Sequence, residues 1–145
     1  MHKTYEAVAE LWSNQGHPDR WVEQNSKVIE LAVFNKMTIA GSFAAGLATK
    51  YPRKVPSDLD FVCGSVDDAM KFITALVLFL SDKSVFYTIR CNNKNKWTAP
   101  GCDVHFRFLC PIWKEICIMV IPNVSAFYWR GLPIQPYGEV RKRTE

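Results

Sequence analysis

Closely spaced cysteine pairs are missing from this chain. Its five cysteines, Cys63, Cys91, Cys102, Cys110 and Cys117, are odd in number and form no CxxC. That argues against a zinc-ribbon site or a disulfide framework and for reduced thiols in a cytoplasmic protein. Long hydrophobic runs are missing too. The longest, FITALVLFL at 72–80, contains Thr74 and falls far short of the roughly 20 apolar residues that span a bilayer, so no membrane partner is expected. The N-terminal stretch MHKTYEAVAELW lacks the apolar segment of a secretory signal. Neither charge sign dominates: 18 Lys and Arg against 14 Asp and Glu give a net charge of +4. That excess is too small to argue for nucleic acid by itself. Basic residues do collect at Lys50, Arg53 and Lys54, and again at Arg141, Lys142 and Arg143. There are no internal repeats or low-complexity tracts.

What is present is the balance of a globular domain, with 48% hydrophobic and 22% charged residues over 145 positions. One domain with a real core is expected over 1–145. Within it, 1–36 read as N-terminal helices, 37–121 as the core, and 122–145 as an extended arm. Tyr5, Val8, Ala9 and Trp12 have helical spacing, and Pro18 suits the first turn of a second helix over 18–35. MTIA at 37–40 reads as a short buried strand ending at Gly41, and 42–50 as a short helix stopped by Pro52 and Pro56. DLDFVC at 58–63 alternates, with Asp58 and Asp60 on one face and Leu59 and Phe61 on the other. Ser65 and Asp68 form a capping-box pattern. They open a helix to about Leu80 that is apolar nearly all round and expected to be deeply buried. Strands are predicted at 84–91, 102–109 and 115–121, with 92–96 as a tip. The sum is an α+β fold, a mixed β-sheet flanked by helices.

Two aspartates at i and i+2 on a strand lie close enough to share a hard cation, which relieves their mutual repulsion. Mg²⁺ favours a few carboxylates with waters and substrate phosphates. A third carboxylate on a neighbouring strand permits two metals. Asp103 is the candidate, since it opens a strand and faces away from Val104, Phe106 and Phe108. Gly41 and Ser42 lie between a strand and a helix N-terminus, where free N–H groups can cradle phosphate.

The composite GSFAAGLA…SDLDF resembles the signature of the minimal nucleotidyltransferases, a family within the DNA polymerase β-like superfamily. That signature runs Gly-Ser, any residue, Ala, Arg, Gly, any residue, Ala, a short gap, then Ser-Asp, apolar, Asp, apolar. Gly41, Ser42, Ala44, Gly46, Ala48, Ser57, Asp58, Leu59, Asp60 and Phe61 fit it. The resemblance covers 37–63 and extends more weakly to Asp103. The signature of the abortive-infection AbiE-type nucleotidyltransferase toxins is similar, with a longer gap. The resemblance implies a polymerase β-like nucleotidyltransferase fold and transfer of an NMP from an NTP such as ATP to a protein or RNA hydroxyl. It implies two Mg²⁺ ions, or Mn²⁺, on Asp58, Asp60 and Asp103, and the β- and γ-phosphates held at Gly41 and Ser42. Implied partners are an acceptor protein or RNA end, including a cognate toxin modified by an adenylylating antitoxin.

Three features depart from the family pattern. Ala45 stands where Arg is usual, the gap contains the insert KYPRKVP, and a predicted strand separates the DxD strand from Asp103. Lys50, Arg53 or Lys54 is a candidate triphosphate clamp in place of the missing arginine, and Ser57 adjoins the metal aspartates. His105 and Arg107 share the face of Asp103. His105 reads either as a nucleotide contact or base, or as an ordinary hydrogen-bonded sheet residue, and Arg107 as a phosphate contact or an edge salt bridge. The alternative for the whole chain is a binding protein on the same fold that holds a nucleotide or protein partner without chemistry.

Overall fold

The computed structural model describes residues 6–48, 58–93, 102–123 and 125–135. It is an α+β structure of four helices and one mixed, seven-stranded sheet. In chain order the elements are α1 (Glu6–Asn14), α2 (Asp19–Phe34), β1 (Thr38–Ile39), α3 (Gly41–Ala48), β2 (Leu59–Cys63) and α4 (Val66–Ser81). Then come β3 (Thr88–Asn93), β4 (Val104–Leu109), β5 (Ile116–Val120), β6 (Phe127–Trp129) and β7 (Leu132–Ile134). The sheet order is β3-β4-β5-β2-β1-β7-β6. Among the described residues, no helix is long and apolar enough to cross a membrane.

The period-2 pattern sets which face of the sheet meets the helices. Leu59 lies opposite Ile116, Phe61 opposite Ile118 and Cys63 opposite Val120 in the parallel β2–β5 pair. Phe106 and Phe108 extend the same face on antiparallel β4. These residues belong to one buried cluster with Val28 and Ile29 of α2 and Phe72, Ile73 and Leu76 of α4. Ring contacts run through this layer, from Trp12 to Phe43 at 6.0 Å, on to Phe61 at 6.2 Å, and then to Phe72 at 5.3 Å. Such offset and edge contacts add to plain area burial.

Caps and turns fix the joints. The Ser65 hydroxyl accepts from the Asp68 N–H at 3.1 Å, which starts α4 directly after β2. α2 ends with Lys36 at φ +58°, its N–H on the Val33 carbonyl and the Met37 N–H on the Ala32 carbonyl. That is the Schellman pattern, with lysine where glycine is usual. Buried Asn25 accepts from the Lys114 N–H at 2.9 Å, so α2 holds the turn that leads into β5.

Three expectations need correction. α4 is not buried all round: Ala69, Phe72, Ile73, Leu76 and Leu80 are buried, while Met70 and Leu78 face solvent at 44% and 64% exposure. Only the face against α2 and the sheet finds partners, because the helix forms the outer layer. The strand predicted at 84–91 pairs over Thr88–Asn93 instead. Ser84 at φ +52° is still turning out of α4, and Asn92 and Asn93 belong to the strand. Finally, residues 127–134 are not an extended arm. They form a hairpin whose two turn residues, Arg130 and Gly131, both have positive φ, as a type I′ turn requires. β7 then pairs in parallel with β1 through Ile39 and Ile134, and Leu132 and Ile134 are fully buried.

Candidate metal and phosphate site

β1 and β2 run antiparallel, and the Ala40 N–H donates to the Asp60 carbonyl at 2.8 Å. The start of α3 is thereby level with Asp60. Gly41 has φ +58°, and a Cβ built on it would lie 2.5 Å from Asp60 Oδ2. Glycine is required here twice over, by a left-handed backbone and by close approach to a carboxylate. The glycine of the Gly-Ser pair and the second aspartate of the DxD pair therefore touch.

The neighbours of the pair come from β5 and β4. Asp60 lies opposite Cys117, and Cys117 opposite Arg107. The Leu59 N–H donates to the Glu115 carbonyl at 2.9 Å, which brings Glu115 level with Asp58. Arg107 donates to both oxygens of Glu115, at 2.6 and 3.3 Å. Donor atoms of Asp58, Asp60 and Cys117 all lie within 4.8 Å of one another. The face thus carries two carboxylates, a thiol and a bidentate ion pair, opposite the helices. Beside them sits a small apolar cluster of Ala40, Val62, Cys102, Met119 and Ile121.

The electrostatics follow from this crowding. Burial, then the Glu115 carboxylate, push the Asp58 carboxyl above the usual range, against the pull of Arg107 and Lys114. Burial, followed by the charges of Asp60 and Asp58, pushes the Cys117 thiol well up. Glu115 goes the other way, because its hydrogen bond from Arg107 holds it low. A divalent cation would invert the balance for Asp58, Asp60 and Cys117. The two carboxylates fit a hard ion such as Mg²⁺, and the Gly41 approach leaves backbone rather than side chain beside Asp60. The sulfur does not suit Mg²⁺, which takes oxygen ligands.

Asp103 does not join this group. β5 lies between β2 and β4, so β4 is not the neighbour of the DxD strand. The β4 position level with Asp60 is Arg107. Asp103 is four residues away, about 13 Å along the strand at ~3.3 Å per residue. Its backbone N–H instead donates to the Val120 carbonyl at the far end of β5. His105 shares the face of Asp60 and lies opposite Met119. Both its ring nitrogens are shut off from solvent without a hydrogen-bond partner among the described residues, and its pKa is lowered, first by burial and then by Arg107. Lys50, Arg53, Lys54 and Ser57 lie outside the described residues, as do the side chains of Ser42 and Ala45 and the basic cluster at 141–143.

Glu115 and Cys117 are the site-face residues that the sequence reading passed over. Their signal is the alternation in EICIMV, where Glu115, Cys117 and Met119 share a face against Ile116, Ile118 and Val120. What a sequence does not carry is that this strand pairs in parallel with 59–63. No protein-family model matches the chain, and neither curated proteins nor solved structures give a match.

Proposed function

We propose that this chain is a nucleotidyltransferase of the polymerase β-like kind. In this reading an NTP binds at the Gly41 turn, with divalent metal on Asp58 and Asp60, and the NMP passes to a protein or RNA hydroxyl. The observation that carries the proposal is the contact of Gly41 with the Asp60 carboxylate. It brings the start of α3, whose N–H groups would cradle a phosphate, beside a carboxylate pair that would hold a cation, and the chemistry needs both together. The acceptor oxygen bonds to the α-phosphorus as the bond to pyrophosphate breaks, and the hydroxyl proton leaves to solvent. A metal held by Asp58 and Asp60 would supply charge neutralisation on the phosphates. The protein contributes positioning through β1, β2 and the start of α3. The test is incubation with each α-labelled NTP, Mg²⁺ or Mn²⁺, and cell extract. Label should pass to protein or RNA and vanish in the Asp58→Asn, Asp60→Asn double variant; label that persists there sinks the proposal.

One observation favours a second reading, nucleotide or partner binding without chemistry. Cys117, not a carboxylate, stands opposite Asp60, and Asp103 lies too far along β4 to complete a two-metal set. In that case Mg²⁺ and NTP raise the melting temperature while no acceptor is labelled. Inhibition of a partner would then survive the double Asp→Asn change.

A further inference from the structure

The residue across from Asp60 is a thiol, and its setting is not that of a core cysteine. Cys117 is only 5% exposed, yet it belongs to neither apolar cluster. Its sulfur is turned to the carboxylates: 3.5 Å from Glu115 Oε2 and within 4.8 Å of donor oxygens on both Asp58 and Asp60. A buried alanine or valine would fill the same space without setting a group that can carry negative charge beside two others.

The three donors come from fixed places. Asp58 and Asp60 flank Leu59 at the start of β2, and the parallel register holds Cys117 opposite Asp60. Ligand atoms around a tetrahedral zinc ion lie about 3.3–3.5 Å apart, given bonds of ~2.0 Å to oxygen and ~2.3 Å to sulfur. The present spacing, within 4.8 Å, exceeds that by at most about 1.5 Å, which side-chain rotation can close. His105 stands next along the same face, outside this donor group. It lies diagonal to Cys117 across the β4–β5 pair, since Arg107 is directly opposite Cys117. Such diagonal neighbours stand within reach of longer side chains. Its two ring nitrogens are solvent-excluded and have no hydrogen-bond partner among the described residues, but the donor group itself is Asp58, Asp60 and Cys117.

We propose that Cys117 is a ligand to the cation held by Asp58 and Asp60, so that the site takes a thiophilic divalent transition ion, zinc or its like, in preference to magnesium. This rests on the reading above only for the presence of a cation at those aspartates. On binding, the thiol loses its proton to solvent as the metal–sulfur bond forms. Mixed oxygen and sulfur ligands favour zinc and cobalt over magnesium, through ligand softness and the general order of divalent affinities.

The test uses the full chain, stripped with a chelator and kept reduced by a phosphine, and titrated with Co²⁺ alone. A thiolate-to-cobalt charge-transfer band should appear in the near ultraviolet, saturate at one equivalent, be displaced by zinc and survive excess magnesium. Cys117→Ser should abolish the band and weaken zinc binding by about tenfold or more, while Cys91→Ser, on exposed β3, keeps it. No band in the wild type, or a band that survives in Cys117→Ser, overturns the proposal. If Cys117→Ser does not fold, X-ray absorption at the zinc edge of the wild type decides. One sulfur at about 2.3 Å supports the ligand, and a shell of oxygen and nitrogen alone overturns it. Magnesium and NTP binding with an oxygen-only shell would end this inference and leave the nucleotidyltransferase reading standing. A zinc–sulfur site on a chain that binds no NTP would do the reverse.

Discussion

The two faces of the central strands are built by opposite rules. On the helix side, Leu59, Phe61, Ile116 and Ile118 are fully buried among apolar partners. Each side chain there lowers the free energy of the fold, and removing any of them opens a cavity. On the other side, one residue away along the same strands, Asp58, Asp60, Cys117 and Glu115 crowd anionic or ionisable groups into a small space, with Arg107 donating to Glu115. That face holds charge in a way that stability alone would not select. The helix face secures the strands, while the other face gathers ionisable groups at some cost in stability.

The largest expected effect tests the helix face. Phe61→Ala should cost about 3–5 kcal/mol, because the ring is fully buried and contacts both Phe43 and Phe72. Chemical denaturation measures it, and a loss under 1 kcal/mol would mean that the aromatic layer is not the frame of the sheet. Next comes Gly41→Ala, at the seam between the faces. The positive φ and the clash with Asp60 predict a loss of about 1–3 kcal/mol. They also predict loss of cation binding, since the methyl group displaces the carboxylate. Normal metal affinity in a folded Gly41→Ala protein would separate Gly41 from the site. Asn25→Ala should cost a similar or slightly smaller amount, about 1–3 kcal/mol, by stranding the Lys114 N–H. Because Lys114 precedes Glu115, the change should also loosen the Arg107–Glu115 pair, seen as altered cation affinity at unchanged Asp58 and Asp60.

The sequence made the two faces legible but not their neighbours. Alternation in 58–63 and 102–109 assigns Asp58, Asp60, His105 and Arg107 to one face and Leu59, Phe61, Phe106 and Phe108 to the other, and the structure has the same division. Gly41 was legible as a glycine between a strand and a helix, but its contact with the Asp60 carboxylate follows from the β1–β2 pairing. Pairing between distant strands was not readable. Asp103 has the right residue type on the right face, yet β5 is inserted between its strand and β2, and the register displaces it along β4. Cys117 and Glu115 hold the near positions because β5 runs parallel to β2, a choice made by the whole chain path rather than by any local pattern. The hairpin at 127–134 was hidden for another reason. Pro133 reads as a strand breaker, while the real signal was Arg130-Gly131 between two residues that pair, Trp129 and Leu132.

The smallest effect has the opposite sign, and it sharpens the comparison most. Asp58 has its carboxyl raised by burial and by Glu115. In the metal-free protein the native state therefore holds that proton more tightly than the unfolded chain does. Stability from this group is greatest below the ordinary carboxylate value of 3.8 and declines as pH rises through the raised one. Glu115, held low by Arg107, gives the reverse slope: its stabilisation is present above its unfolded value and lost as pH falls through the folded one. Asp58→Asn removes the first slope and leaves the second. With chelator present near neutral pH, this variant should be more stable than the wild type, by about 1 kcal/mol and a few degrees in Tm. Saturating divalent cation should raise the Tm of the wild type and leave Asp58→Asn nearly unmoved, so the order of the two proteins reverses. Thermal unfolding from mildly acidic to neutral pH, with and without metal, measures both slopes. If Asp58→Asn is less stable than the wild type without metal, Asp58 is an ordinary stabilising residue, and the two faces differ in composition but not in kind.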